Sequence, residues 1–329
     1  MERIGDAIDL RLLDDWQRDF PLDPRPFAVI GEAVGCSEAD AIRRISALSA
    51  SGRITRVGAT CAPNTVSAST LAALSAPDDR QEEVAEIVGR QPGVNHSYLR
   101  EDHWNLWFVA TGPDRDHVNT SLETIRQETG LTVLDLPLVR PFNVDLGFRL
   151  RGSSQRTPLA RPVDLTRLRD GDRDILQALT TGMSLCNRPF AEIGKPLNRS
   201  EKDILDRVSD LQAGGIISRL GVIVRHRALG WRSNAMVVWD IPSDRIDQAG
   251  PALAAHPGVT LCYERRPAPG VWPYRLYCMI HAQSRRAALE TLTAASRLPE
   301  LERVPFKTLF SNRCFKQTGA MIARQGAAA

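Results

Sequence analysis

Apolar positions near the start of the chain recur at helical spacing. Ile8, Leu12, Leu13 and Trp16 follow a charged opening and predict a first helix. Phe27 to Val34 predicts a second, short helix that ends near Gly35. Ser37 stands where a cap is needed for a third, with Asp40 in its first turn, Ile42, Ile45 and Leu48 along one face, and Gly52 closing it. Ile54 to Cys61 then predicts a strand. Three short helices with a tight turn before the last, followed by a hairpin-like strand, form a winged helix-turn-helix plan.

The pattern then alternates between strand and helix. Leu71 to Ala76 reads as a strand, Asp79 to Arg90 as a helix ending in Gln-Pro-Gly, Val94 to Leu99 and Leu106 to Thr111 as strands, Asp114 to Glu128 as a helix ending at Gly130, and Leu131 to Leu136 as a strand. That order, βαββαβ, predicts a ferredoxin-like antiparallel sheet with two helices on one face.

Both patterns occur twice. Arg25-Pro26-Phe27-Ala28 and Ile30-Gly31 return as Arg188-Pro189-Phe190-Ala191 and Ile193-Gly194, a shift of 163 that also carries Asp9 to Asp172, Ser37-Glu38 to Ser200-Glu201, Gly52 to Gly215 and Arg56 to Arg219. Pro92-Gly93-Val94 returns as Pro257-Gly258-Val259 with a shift of 165, and Pro137 matches Pro305 with a shift of 168. The second βαββαβ run is Ala235 to Ile241, Ser243 to Ala255, Val259 to Glu264, Tyr274 to His281, Ser284 to Ser296 and Leu301 to Lys307. The expected fold class is therefore α+β, with two tandem copies of a winged helix-turn-helix followed by a ferredoxin-like domain. The boundaries fall at 1–62 and 63–150 for the first copy and at 164–227 and 228–320 for the second. A linker at 151–163, rich in Ser, Pro and Arg and without apolar period, separates them. The tail after Gly319 reads as frayed.

Composition narrows the function classes. Apolar residues make up 43% and charged residues 25%, both ordinary for globular chains, and the formal net charge is only +3. No clustered cationic excess of the kind a strong nucleic-acid binder carries is present. Met1 to Phe20 alternates charged with apolar residues, without the unbroken apolar run of a secretory or membrane segment, so a cytoplasmic location is expected. None of the six cysteines (Cys36, Cys61, Cys186, Cys262, Cys278, Cys314) forms a Cys-x-x-Cys pair, which argues against zinc ribbons and redox dithiols and for free thiols. No metal site is expected.

The chemistry concentrates in two hairpins, Tyr98 to Trp107 and Tyr263 to Tyr277. Each combines aromatic and cationic side chains, a set suited to a flat, anionic, partly apolar ligand. His103 in the first hairpin is replaced by Pro273 in the second copy. His226, after the second copy's wing strand, is replaced by Pro63 in the first. Each copy thus keeps one histidine that the other has lost. The remaining histidines, His96, His117, His256 and His281, read as helix ends or surface residues.

A helix-turn-helix followed by a βαββαβ sheet resembles the Lrp/AsnC family of amino-acid-responsive regulators, and the resemblance covers nearly the whole chain. Several strings are similar to the siroheme decarboxylases within it. They are Tyr98-Leu99-Arg100 with His103-Trp104-Asn105-Leu106-Trp107-Phe108; Val224-Arg225-His226-Arg227 with Asn234-Ala235-Met236-Val237-Val238-Trp239; Trp272-Pro273-Tyr274-Arg275-Leu276-Tyr277-Cys278-Met279; and Ser311-Asn312-Arg313-Cys314-Phe315-Lys316. Arg275 departs from the Asn often found after Trp-Pro-Tyr in related hairpins and adds a cation.

The resemblance implies removal of carbon dioxide from the C12 and C18 acetates of siroheme, giving 12,18-didecarboxysiroheme, in haem d1 or alternative haem synthesis. It implies a fused form of two homologous subunits, an intramolecular pseudo-dimer that works beside other enzymes of the haem d1 pathway. Related folds oligomerise through their sheets, which allows a homodimer. No cofactor beyond the iron tetrapyrrole itself is called for, and neither a Gly-x-Gly-x-x-Gly turn nor a P-loop occurs.

Within that reading His103, His226, Arg100 and Tyr98 are the candidate catalytic residues. Arg56, Arg219, Arg225, Arg265, Arg266 and Arg275 are candidates to grip substrate carboxylates, with Trp104, Asn105, Trp107, Trp272 and Tyr274 around the ring. Two non-equivalent pockets, one served by His103 and one by His226, are expected to divide the two acetates, or one pocket does both steps. The rival reading is a DNA-binding regulator of the Lrp/AsnC type. Against it, Ser37 to Ala50 offers only Arg43 and Arg44 beside Glu38 and Asp40, and Ser200 to Ala213 carries Glu201, Asp203, Asp206 and Asp210, which repel phosphate. No membrane partner is expected.

Overall fold

The computed structural model describes residues 6–144, 147 and 162–323. The expected linker, apart from Pro162 and Val163, lies outside the described residues. The contacts divide the chain into two compact units, one within Met1–Val66, Gly147–Gln155 and Arg161–Leu229, the other within Ser67–Leu146, Arg156–Ala160 and Gly230–Ala329. Each unit therefore draws on both copies. No helix among the described residues is long and apolar enough to cross a membrane.

The first unit holds α1 (Ala7–Asp14), α2 (Pro26–Val34), α3 (Glu38–Ala50) and β1 (Ile54–Cys61), with their counterparts α6 (Asp172–Thr181), α7 (Pro189–Gly194), α8 (Glu201–Ala213) and β6 (Ile217–Val224). The caps are those the sequence supplies. Ser37 Oγ accepts from Asp40 N–H at 3.1 Å, Ser200 Oγ from Asp203 N–H at 3.1 Å, and Gly35 takes the left-handed conformation after α2. The hairpin-like wing is corrected. Each copy supplies a single strand, and β1 pairs antiparallel with β6 of the other copy, Gly58 opposite Gly221.

Those two glycines explain how the copies interlock. A Cβ on Gly58 would stand 2.2 Å from Leu179 O at the end of α6, and one on Gly221 would stand 2.5 Å from Trp16 O beyond α1. Main-chain bonds follow the same exchange. Met183 N–H donates to Val57 O at 2.8 Å, and Val222 N–H donates to Trp16 O at 2.7 Å. Each copy's first helix thus ends on the other copy's strand.

The second unit contains β2 (Ala68–Leu74), α4 (Gln81–Arg90), β3 (Val94–Arg100), β4 (Leu106–Gly112), α5 (Arg115–Thr129) and β5 (Val133–Asn143) from the first copy. The second copy supplies β7 (Ser233–Trp239), α9 (Ile246–Ala255), β8 (Val259–Arg265), β9 (Leu276–Ala282), α10 (Arg285–Ala295) and β10 (Phe306–Gln317). The βαββαβ order holds in both copies, but the two sheets close into one barrel in the order β10-β3-β4-β2-β5-β8-β9-β7.

Closure comes from two strands longer than the sequence pattern predicts. β5 runs beside β2 of its own copy up to Pro137 and then pairs with β8 from Leu138 onward. β10 runs beside β7 up to Phe310 and then pairs with β3 from Ser311 onward. The expected end at Leu136 falls short because Pro137 and Pro141 read as strand breakers; the expected end at Lys307 falls short although β10 holds no proline. The register shifts between Leu138 and Arg140 and between Pro141 and Asn143 accommodate the change of partner. The match of Pro137 to Pro305 is corrected too. Glu101 N–H donates to Phe310 O and Arg266 N–H to Pro137 O, so Pro137 stands where Phe310 does.

Alternation along the strands sorts the side chains. Leu106, Phe108 and Ala110 face α4 and α5, and Leu276, Cys278 and Ile280 face α9 and α10. Leu71, Trp107, Leu136, Met236, Tyr263, Tyr277 and Leu309 form a third cluster inside the barrel. The tail is corrected in part. Met321 and Ile322 are buried, and Met321 N–H donates to Thr111 Oγ1 at 2.9 Å.

Candidate active site

The alternation that turns Trp107 inward on β4 turns its ladder partner Tyr98 inward on β3, and Arg100 two residues on. Tyr263 and Arg265 occupy the matching places on β8, opposite Tyr277. Each arginine lies over its neighbouring tyrosine, Arg100 at 5.4 Å from the Tyr98 ring and Arg265 at 4.6 Å from the Tyr263 ring. Each is anchored by one bond to the other copy's crossing strand, Arg100 to Leu309 O at 3.2 Å and Arg265 to Leu136 O at 2.8 Å. Both are at least nine-tenths buried, and among the described residues the Nε of each has no hydrogen-bond acceptor. Burial pulls both pKa values down, although a guanidinium stays charged. Among the described residues neither has a carboxylate in ion-pair contact. Asp135, the acid nearest in charge to Arg265, is engaged by Thr70 and Arg115.

The aromatic candidates gather at the barrel end where the β3–β4 and β8–β9 loops lie. Trp107 and Trp272 are almost fully buried with ring centres 5.2 Å apart, and Tyr274 lies 4.8 Å from Trp272. Trp272 Nε1 donates to Tyr277 Oη at 2.8 Å, and Trp107 Nε1 donates to Trp104 O. These rings pack mainly on one another. Asn105 uses its side chain on the backbone of Ala76, accepting from N–H at 2.9 Å and donating to C=O at 2.8 Å. It fixes the loop. Arg275 is partly exposed, its N–H donating to Trp239 O, and Arg266 is exposed.

His103 projects from the β3–β4 loop as an exposed ring, with Nδ1 3.4 Å from Ser75 Oγ and its plane edge-on to Trp104. The remaining candidates lie in the first unit. Arg56 and Arg219 stand on the shared β1–β6 ladder, and Arg56 donates to Ala59 O at 3.4 Å. Burial, reinforced by the Arg219 charge, lowers the Arg56 pKa to about 10. Two cations held close under partial burial are an electrostatic setting for an anion. Arg225 is exposed and tied through its N–H to Arg53 O at 2.8 Å, while His226 is buried at the start of a short 3-10 turn after β6.

Two histidines are corrected. His96 lies on β3, stacked on Tyr98, and His281 lies on β9, opposite Asn234. His281 Nδ1 is 2.7 Å from Thr260 Oγ1, and the protein around the partly open ring, with Arg100, pushes its pKa down to about 4. Sequence reading also passed over Tyr263 and Lys307. For His281 the signal was its alternation with Tyr277 and Met279, both of which face into the barrel.

The duplicated helix-turn-helix and closed βαββαβ barrel define a fused, two-copy protein of the AsnC-like class. A model described as the AsnC-like ligand binding domain matches residues 66–143 and 228–316, and one described as the siroheme decarboxylase NirDL-like HTH domain matches residues 9–54 and 172–217. The chain belongs to the siroheme decarboxylase NirDL family. It is 56% identical to the siroheme decarboxylase NirDL subunit of Paracoccus pantotrophus over 98% of this chain and 99% of that one. It is 43% identical to the siroheme decarboxylase NirD subunit of Stutzerimonas stutzeri, over 44% of this chain and 95% of that one. Among solved structures, siroheme decarboxylase NirDL in co-complex with an iron-uroporphyrin III analogue matches with a TM-score of 0.64 and 26% identity, over 96% of this chain and 93% of that one.

Proposed function

We propose that this chain is a siroheme decarboxylase, a carbon–carbon lyase that removes carbon dioxide from the C12 and C18 acetates of siroheme. The product is 12,18-didecarboxysiroheme, for haem d1 synthesis in the cytoplasm. The observation that carries the reading is 56% identity to a siroheme decarboxylase NirDL subunit along 98% of the chain. The residues fit such a substrate. Arg100 and Arg265 are buried cations of the second unit with, among the described residues, an unused Nε each and no carboxylate in ion-pair contact, so a substrate carboxylate meets charges there that no acid matches; Arg56 is a further, partly buried cation in the first unit.

In each step the bond between the acetate methylene and its carboxyl carbon breaks. The electron pair enters the macrocycle, and the methylene gains a proton to become a methyl group. The chain's part is to orient one acetate, anchor the others and deliver the proton. Arg100, with Tyr98 beneath it, and Arg265 hold carboxylates. His103, exposed on an anchored loop, delivers a proton, and His226 serves the second acetate. Arg266 and Arg275 add grip in the second unit, where Trp104 and Tyr274 offer apolar faces to the ring; Arg219 and Arg225 are the carboxylate-gripping candidates of the first unit. Trp107 and Trp272 support them from inside the barrel. This chemistry needs no organic cofactor beyond the iron tetrapyrrole.

A DNA-binding role is disfavoured by the charges on the third helices. Arg44 is engaged by Asp6, Asp9 and Asp40, and Arg43 by Asp40. On α8, Lys202 is paired with Asp206, and Arg207 with Asp172 and Asp210. Helices whose cations are already neutralised release few phosphate counterions. The test is anaerobic incubation of the purified protein with siroheme, followed by mass spectrometry. Loss of two carbon dioxide molecules is expected, and unchanged siroheme refutes the reading.

A further inference from the structure

The loop that carries His103 belongs to the first copy, yet the second copy holds much of it. Glu101 N–H donates to Phe310 O at 2.9 Å, and its carboxylate takes both terminal nitrogens of Arg285 at 2.8 Å each, a two-pronged pair. Arg285 opens α10 and lies 3.9 Å over the Phe310 ring. Asp102 turns its carboxylate two ways. Oδ1 accepts from Trp104 N–H at 3.0 Å, closing the turn around His103, and Oδ2 meets Lys307 Nζ of β10 at 2.8 Å. The Asp102 side chain is only 8% exposed and that of Lys307 40%, so the pair is sheltered on the loop's side and open to solvent on the lysine's. On the first copy's side, Asn105 pins the loop to Ala76. The second copy's loop has Arg266 and Pro267 where the first has Glu101 and Asp102, so the arrangement exists once.

We propose that Lys307 and Arg285 are positioning residues for the reaction: a clamp from the second copy that fixes residues 101–105 and so aims the His103 ring. The inference rests on reading His103 as a proton-delivering group. It gives the second copy a task in the first copy's chemistry that does not require its own histidine.

The test uses the full chain with Lys307→Met, Arg285→Met and both together, and Lys307→Arg as the conservative rescue. Siroheme binding is followed by absorbance titration, and both decarboxylation steps by single-turnover mass spectrometry. The double variant is expected to bind siroheme as the parent does while kcat falls about 10- to 100-fold, the range for a misaimed catalytic group. Lys307→Arg recovers most of the loss. Parent-like kcat in the double variant, or a raised KM with kcat unchanged, overturns the clamp. If the double variant does not fold, Asp102→Asn replaces it, since the amide oxygen still closes the turn while the ion pair is lost. If the parent itself releases no carbon dioxide, the functional reading fails. The clamp is then judged by nuclear magnetic resonance of the His103 ring, assigned by its loss in His103→Ala. The signal broadens or splits in the double variant if the clamp holds the loop, and is unchanged if it does not.

Discussion

Arg265 shows how a single residue separates binding from stability. Its guanidinium is buried, stacked on Tyr263 and bonded to one carbonyl, without a carboxylate in contact among the described residues. Replacing an uncompensated buried charge by an apolar side chain of similar length is neutral or stabilising. Arg265→Met is therefore expected to keep or raise the melting temperature. Siroheme affinity in an absorbance titration falls roughly 10- to 100-fold, the loss of one charge-assisted contact. The histidines test the division of labour. His103→Ala or His226→Ala, given siroheme anaerobically, is expected to accumulate a mono-decarboxylated product; two-step activity in both variants refutes these assignments. His281 tests the barrel interior. Its folded pKa of about 4 lies below the ordinary 6.5, so the unfolded chain binds the proton first. Its contribution is complete above pH 6.5 and is lost as the pH falls toward 4. His281→Asn is expected to flatten that acid limb in urea melts taken across this range. At this scale the sequence identified residue types well and their duties less well. Asn105 and Trp272 carried the right chemistry for ligand contact, but only three-dimensional placement gives Asn105 to the Ala76 backbone and Trp272 to Trp107 and Tyr277.

Helices and strands were legible wherever caps and alternation agreed. Ser37, Ser200 and Ser284 each cap a helix, and the βαββαβ order follows from local pattern alone. The pairing of β1 with β6 was not legible, because a ladder between distant segments leaves no local period. Nor were the full lengths of β5, whose prolines point the other way, and of β10, which changes partner from its own copy to the other. Gly58 and Gly221 mark the hidden contact. Neither has positive φ, so each is needed for space and not for backbone freedom. Gly58→Ala or Gly221→Ala is expected to destabilise the helix-turn-helix unit by about 1–3 kcal/mol, the usual cost of forcing a methyl into a filled contact. Calorimetry should register the loss, and unchanged melting would mean that the helix ends move aside freely.

For the molecule, duplication was the most legible feature and its spatial result the least. Repeats read along a chain suggest one body per copy, whereas contacts mix the copies in both units. Chains covering 1–150 and 162–329, produced separately, are each expected to aggregate, because half a barrel exposes unpaired strand edges. Produced together they are expected to recover the parent's circular dichroism and melting. The S. stutzeri NirD relative, a separate chain spanning 44% of this one, fits that expectation.

Barrel closure has a further implication for assembly. Sheets that associate edge to edge need an unsatisfied row of amides and carbonyls, and here every strand from β2 around to β7 and β10 already has two neighbours. What separate subunits must achieve by meeting in solution, this polypeptide accomplishes within itself. Light scattering should accordingly give the mass of one chain, 36.3 kDa; a larger mass would point to the two-stranded β1–β6 sheet, whose strands have one strand neighbour each.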